Sequence, residues 1–255
     1  MDKPPEPLKP KGPKEVYLKI DGTYLKRWGC ALVYKHKKDV IFYNFVIREN
    51  YHNYCYDLAR ISESGYKICG VTSDKHGGLI SSVKTLLPNI PHQHCLVHLQ
   101  LSCQKLLTRN PKTETGVELL QIARHLNTIT SHYEKNIWLK WLDRWEKRHT
   151  DFIKEKTYSK EEKTKTGKPV WWYTHKNLRQ AFRTLKTSEN NAFLYLDNPN
   201  LSKDTNGLEA EFTHLKTKLR IHCGLKRQRR ANFVKWYFYF RLMKKRGLKP
   251  TRFVH

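Results

Sequence analysis

The chain has 255 residues, room for one large domain or two small ones around a real core. Its 49 Lys and Arg against 23 Asp and Glu leave a formal charge of +26, with a pI near 9.9; the partner this selects is a polyanion, nucleic acid foremost. No apolar run could span a bilayer, no signal-peptide pattern opens the chain, and the six scattered cysteines form no Cys-x-x-Cys, which sets aside a membrane protein and a disulfide framework and suits a reducing compartment.

Residues 1–14 (MDKPPEPLKPKGPK) are rich in Pro and Lys and predict an extended, solvated arm. Over Glu15–Tyr24, Val16, Leu18 and Ile20 alternate with Tyr17, Lys19 and Asp21, the period of a strand with one buried face. The expected strand ends in Asp21-Gly22. A carboxylate at the rim of a sheet can hold a cation, but Asp-Gly is also a common turn dipeptide, and on this stretch alone the turn is the simpler reading. Two more strands are expected over Trp28–His36 and Asp39–Ile47, joined by a turn at Lys37-Lys38. A helix follows over Asn53–Gly65, then a buried strand over Lys67–Ser73 that also finishes on an acid, Asp74. Another helix is predicted over Leu79–Leu87, before Pro88 and Pro91. Two strands thus end in carboxylates, and neighbouring strand ends of an α/β sheet are where ligands and ions collect.

A fifth strand running into a helix is read at Pro91–Leu101 (PHQHCLVHLQL). His92, His94, Cys95 and His98 invite a zinc reading, yet no second ligand pair lies nearby and a closed site needs four ligands; packing and hydrogen bonding are the simpler roles for Cys95 and His98. From Thr113 to Asn200 the pattern becomes helical, with Leu119, Leu120, Ala123, Leu126 and Ile129, then Ile137, Trp138, Trp141, Leu142 and Trp145, at helical spacing. Trp138, Trp141 and Trp145 are assigned to the core. Lys154–Pro169 is charged and poor in apolar residues, which predicts a mobile loop, and a helix is expected over Asn177–Leu185. Adjacent Trp171 and Trp172 cannot both face one core, which leaves a ring to stack on a base.

In the last motif, Leu208, Phe212, Leu215 and Leu219 form an apolar helical stripe, with Glu209, Lys216 and Arg220 along one edge and Glu211 on the other. An acid beside two bases suits a metal ligand with phosphate-binding neighbours. Against this, Asn206 followed by Glu209 reads as a capping box, and periodicity alone leaves Glu209 and Glu211 open. The Gly-broken basic run Ile221–Arg230, with Lys226, Arg227, Arg229 and Arg230, precedes an aromatic stretch at Ala231–Leu242; with so positive a chain, phosphate contact is expected of it.

Together, Asp21 in IDGTY, Asp74 in VTSDKHGGL, Cys95-Leu-Val-His98, and Thr205-Asn-Gly-Leu-Glu209 followed by Lys216, Arg220 and His222 resemble Mutator-superfamily transposases, especially their bacterial insertion-sequence branch. The resemblance runs from about Val16 to Leu225. It implies an α/β fold: a ribonuclease H-like mixed sheet flanked by helices, with a mainly helical insertion before the last catalytic helix. The organisation expected is a basic arm over 1–14, the first part of the core over 15–111, the insertion over 112–200, a catalytic helix over 201–225 and a basic aromatic C-terminal helix and tail over 226–255.

The resemblance further implies a catalytic and metal-binding triad of Asp21, Asp74 and Glu209, since the family's acid falls three residues after the Asn, and two Mg²⁺ (or Mn²⁺) ions. Cys95 and His98 would be its Cys-x-x-His motif; Lys216, Arg220, His222, Lys226, Arg227, Arg229, Arg230, Trp171 and Trp172 would meet DNA. The implied reaction is hydrolysis that frees a 3′-OH, followed by attack of that hydroxyl on target DNA, in a cytoplasmic, nucleoid-associated prokaryotic protein acting on transposon ends, as a homodimer. Family members carry an N-terminal zinc-binding and helix-turn-helix region. Here the core begins almost at once, so recognition is expected from a separately encoded part or a missing one. Two other readings stay open: a non-catalytic DNA-binding protein derived from a transposase, and a ribonuclease H-like nuclease without strand transfer.

Overall fold

A computed structural model describes Pro10 and residues 14–245; the arm predicted over 1–14 lies almost wholly outside the described residues, as does the end of the C-terminal tail. In order, the elements are β1 (Lys14–Tyr24), β2 (Cys30–His36), β3 (Asp39–Val46), α1 (Tyr51–Glu63), β4 (Tyr66–Ser73), α2 (Gly77–Leu86), β5 (His92–His94), α3 (Leu96–Leu107), α4 (Glu114–His125), α5 (His132–Lys154), β6 (Lys156–Lys163), β7 (Pro169–Tyr173), α6 (Lys176–Lys186), α7 (Asn206–Ile221) and α8 (Arg227–Lys245). They form two compact units: the residues up to Cys95 with those from Asn198 onward, and Leu96–Asp197.

The first unit is built on one five-stranded sheet of order β3-β2-β1-β4-β5. The β1-β2 and β2-β3 pairs are antiparallel and the β1-β4 and β4-β5 pairs parallel, a mixed ribonuclease H-like sheet as expected. Both faces are covered, which is why β2 reads as a nearly continuous apolar run and is buried along its whole length. Val16, Leu18, Ile20, Leu32 and Tyr34 pack with Tyr54, Leu58 and Ile61 of α1 and Leu79 and Val83 of α2. Ala31, Val33, Val40 and Tyr43 pack with Leu208, Phe212, Leu215 and Leu219 of α7 and Val234 and Phe238 of α8. Each Val, Leu, Ile or Phe among them contributes about 1.5–3 kcal/mol when fully buried. The stripe seen in the sequence of α7 is thus the seam that lays this helix on the sheet.

The Asp-Gly turn does not form. β1 continues through Asp21 and Gly22, paired with Val33 and Leu32 of β2, and the chain turns only after Tyr24, through a 3-10 turn over Lys26–Trp28 and Gly29 at φ +145°. Pairing with β2 outweighs the local turn preference. The glycine at position 22 answers a close approach instead: a Cβ there would lie 2.6 Å from a Glu49 carboxylate oxygen.

The second unit is mainly helical. Its core joins Leu99 and Cys103 of α3, Leu119, Leu120 and Ala123 of α4, Trp138, Leu142 and Trp145 of α5, and Leu178, Phe182 and Leu185 of α6. The indole N–H groups of Trp138 and Trp145 donate to Ile122 O at 2.8 Å and Thr115 O at 3.1 Å. Trp141 departs from its expected place and is exposed. At about 100° per residue, Trp138 and Trp145 lie within about 20° of each other, while Trp141 lies about 60° from Trp138 and about 40° from Trp145, at the edge of the apolar stripe. The loop expected over Lys154–Pro169 is also corrected: β6 and β7 pair as an antiparallel hairpin with Tyr158 opposite Trp171 and Thr157 opposite Trp172. Cross-strand aromatic and β-branched contacts, with Lys156 Nζ 4.0 Å above the Trp171 ring, stabilise a ribbon that its charged composition alone would not predict.

Candidate active site

The parallel register between β1 and β4 ends at the pair Ile20 and Ser73, so Asp21 and Asp74 are the next residues on two adjacent strands. Asp21 pairs with Val33, whose side chain faces α7, and therefore lies on that side of the sheet. The start of α7 is tied to the same sheet. Thr72 Oγ1 donates to Ser202 O at 2.7 Å, Lys35 Nζ donates to Gly207 O at 2.8 Å, and Lys19 pairs with Asp204 at 3.8 Å. Glu209 follows in the first turn of α7, exposed.

These anchors bring acids from distant parts of the chain under one field. The Asp21 carboxyl, 8% exposed, is pushed up to about 7, first by burial and next by the charge of Asp74, with Glu49 and Glu209 adding to it. The Gly22 N–H, 2.8 Å from Oδ1, works in the opposite direction.

Glu49 was not anticipated. It lies between β3 and α1, where Arg48-Glu49 reads as a solvated pair. The fold gives its carboxylate two neutral donors, the Cys30 thiol at 3.2 Å and the Tyr54 hydroxyl at 2.7 Å, both held in their protonated forms by burial and by Glu49 itself. The charge of Lys216 on α7 reaches Cys30 in the same neighbourhood. An acid just beyond the third strand of a meander was the one available signal.

The two glutamates left open by periodicity separate cleanly. Glu211 is 4% exposed, with Arg241 Nε at 2.7 Å and Lys35 Nζ at 3.8 Å, so it neutralises two cations between helix and sheet. The capping box does not form: Thr205 is the N-cap of α7 and makes no side-chain cap, which leaves Glu209 outside any such arrangement.

As donors, Asp21, Asp74, Glu209 and Glu49 fit a hard divalent cation, because they offer carboxylate oxygens and their mutual repulsion is what a cation would relieve. Among the described residues, no three His, Cys, Asp or Glu side chains stand close enough to hold an ion as they are. Of the histidines near Cys95, His92 Nε2 pairs with Ser73 Oγ at 2.8 Å, and burial pushes His92 down to about 4 and His94 to about 3. Cys95 is buried beside Thr205 and His98 is half-buried on α3.

Of the residues expected to meet DNA, Lys216, Arg220, His222, Lys226, Arg227 and Arg229 are exposed along α7, its C-cap and the first turn of α8. Arg230 stands apart from them. It is buried, donates to Cys223 O and Leu225 O at 3.0 and 3.3 Å, and lies over the Trp28 ring, so it closes the α7–α8 turn. Trp171 and Trp172 are both half in solvent, 44% and 48% exposed.

A family model described as "Transposase, Mutator family" matches residues 31–164, more than half of the chain. The chain belongs to the Mutator family of transposases. Among curated proteins, none matches it. The family match contains Glu49, Asp74, Cys95 and His98 of this transposase, whereas Asp21 and Glu209 flank it and join the others only through the fold. No helix among the described residues is long and apolar enough to cross a membrane.

Proposed function

We propose that this Mutator-family transposase cleaves DNA strands and transfers the freed 3′-hydroxyl to a target strand at a carboxylate site of Asp21, Asp74 and Glu209. The observation that carries the reading is the Asp21 carboxyl on β1, pushed up to about 7 first by burial and then by the charge of Asp74, with Glu209, remote in sequence, adding to it. In this reading residues 15–111 and 201–225 form the catalytic core, 112–200 an insertion, and 226–255 a basic C-terminal element. Two Mg²⁺ or Mn²⁺ ions, when bound, would offset the charge that develops on the attacking and leaving oxygens of a phosphodiester.

Asp21, the most buried of the three acids, would hold the cations together with Asp74 and Glu209. Lys216 and Arg220 share the helix of Glu209 and would grip flanking phosphates as point charge and planar fork. Lys226, Arg227 and Arg229 extend that grip, and Trp171 or Trp172 offers a ring for a base. No side-chain nucleophile is needed, because water and then the DNA 3′-hydroxyl attack.

Supercoiled plasmid with Mg²⁺ tests this. Wild-type chain should nick it, and Asp21→Asn should lose nicking while its DNA affinity stays within about twofold. Undiminished nicking by Asp21→Asn would falsify the site. Joining of a labelled oligonucleotide end into the plasmid separates strand transfer from a nuclease that only cuts.

A further inference from the structure

Cys95, the first residue after β5 and 1% exposed, touches both sides of the carboxylate site. Its N–H donates to Ser73 O at 2.7 Å, and Ser73 is the residue before Asp74. On the other side its Sγ meets Thr205, the N-cap of α7: the Thr205 N–H donates to Sγ at 3.4 Å, and Thr205 Oγ1 lies 3.4 Å from the same sulfur. Thr205 is itself buried, and its hydroxyl turns to the sulfur and makes no cap to its own helix. The Thr205 amide belongs to the opening of a helix, where N–H groups have no partner within the helix; buried, it would lose free energy without the sulfur.

We propose that Cys95 is a positioning residue for Glu209. By joining the end of β4 to the first turn of α7, it sets how far the Glu209 carboxylate stands from Asp74 and Asp21. The inference rests on the carboxylate reading above. Thr205 and Glu209 are four residues apart, about 6 Å along the helix at about 1.5 Å per residue, so a shift at the N-cap is carried to the carboxylate with little damping. A thiol suits the task because sulfur accepts at longer range than a hydroxyl oxygen, and the gap here is longer than an ordinary N–H···O bond. Thr72 and Lys35 brace the same turn through Ser202 O and Gly207 O, so losing the sulfur should displace the helix start without unfolding it.

The test compares the 255-residue wild-type chain with Cys95→Ala, Cys95→Ser, Thr205→Ala and Cys103→Ala, the last removing a buried thiol from the core of the helical unit. Nicking is followed across a Mg²⁺ titration, and Mn²⁺ binding to the DNA-free chain is read by electron paramagnetic resonance. For Cys95→Ala, kcat should fall roughly 10–100-fold and Mn²⁺ binding weaken by a similar factor, as when a group that orients a metal ligand is lost. The Mg²⁺ midpoint should rise, and KM for DNA should hold within about twofold. Cys95→Ser should fall between wild type and Cys95→Ala, and Cys103→Ala should lower Tm without moving the Mg²⁺ midpoint. Thr205→Ala should shift the midpoint in the same direction by less, and it carries the test if Cys95→Ala fails to fold. If neither Cys95→Ala nor Thr205→Ala moves the midpoint or Mn²⁺ binding, while Asp21→Asn abolishes both signals, the positioning role is overturned and the carboxylate site stands. If wild type neither binds Mn²⁺ nor nicks, both fall together.

Discussion

In the sheet unit, polar side chains reach inward. Asp21, Asp57 and Glu211 are all buried, and each meets groups from elsewhere in the chain: the charge of Asp74 for Asp21, Tyr34 and Asn44 for Asp57, and Lys35 and Arg241 for Glu211. In the helical unit, charge stays outside. Lys186 gathers Asp143, Glu146 and Glu189 at 2.7, 3.2 and 3.2 Å on its surface, and Trp171 and Trp172 stand half in solvent on a ribbon without a core of its own. Charges shielded from water act on one another strongly, whereas exposed ones are screened. The proposed reading accordingly assigns bond breaking to the desolvated carboxylates and contact with a polyanion to the accessible cations and rings.

The sharpest way to break that comparison is to pair Glu209→Gln with Trp172→Ala. The first should cut metal-dependent nicking roughly 10³-fold with DNA binding kept, and the second should do the reverse, weakening binding by about 1–3 kcal/mol with kcat kept, when nicking and a DNA-binding isotherm are measured side by side. A shared loss of both quantities in either variant would merge the two roles. Next in size, Glu211→Gln leaves Lys35 and Arg241 without their carboxylate. It should lower unfolding free energy by about 3–5 kcal/mol in urea, whereas Glu209→Gln, exposed, should change it by less than about 0.5 kcal/mol.

The smallest effect concerns pH. Folding raises the Asp21 carboxyl from 3.8 to about 7, so between those values the folded chain holds a proton the unfolded chain has released. Its favourable contribution is complete below about pH 4 and is lost as pH rises through about 7. Without divalent cations, Asp21→Asn should therefore match wild type near pH 4 and exceed it at pH 8 by about 2–4 kcal/mol, read from denaturation at both values. Equal stability of the two at pH 8 would show that neither burial nor the neighbouring acids penalise the Asp21 charge. Mg²⁺ should raise the wild-type Tm at pH 8 and leave that of the variant in place.

What the sequence by itself determined was what local pattern can carry. The alternation of Val16, Leu18 and Ile20, the apolar runs of β2 and β4, and the stripe Leu208, Phe212, Leu215 and Leu219 specify strands and a helix because burial follows a fixed period in each. Asp21, Asp74 and Glu209 were legible as acids following or flanking those elements. Their convergence was not, since it depends on the register that ends at Ile20 and Ser73 and on the anchors at the start of α7. Only the tertiary structure could keep Asp21-Gly22 in a strand, turn Glu211 inward to Lys35 and Arg241, bring in Glu49, pair a charged segment with Trp171 and Trp172, and leave Trp141 outside its core. In each case the deciding partner lies far along the chain, and a contact between remote segments leaves no period in either of them.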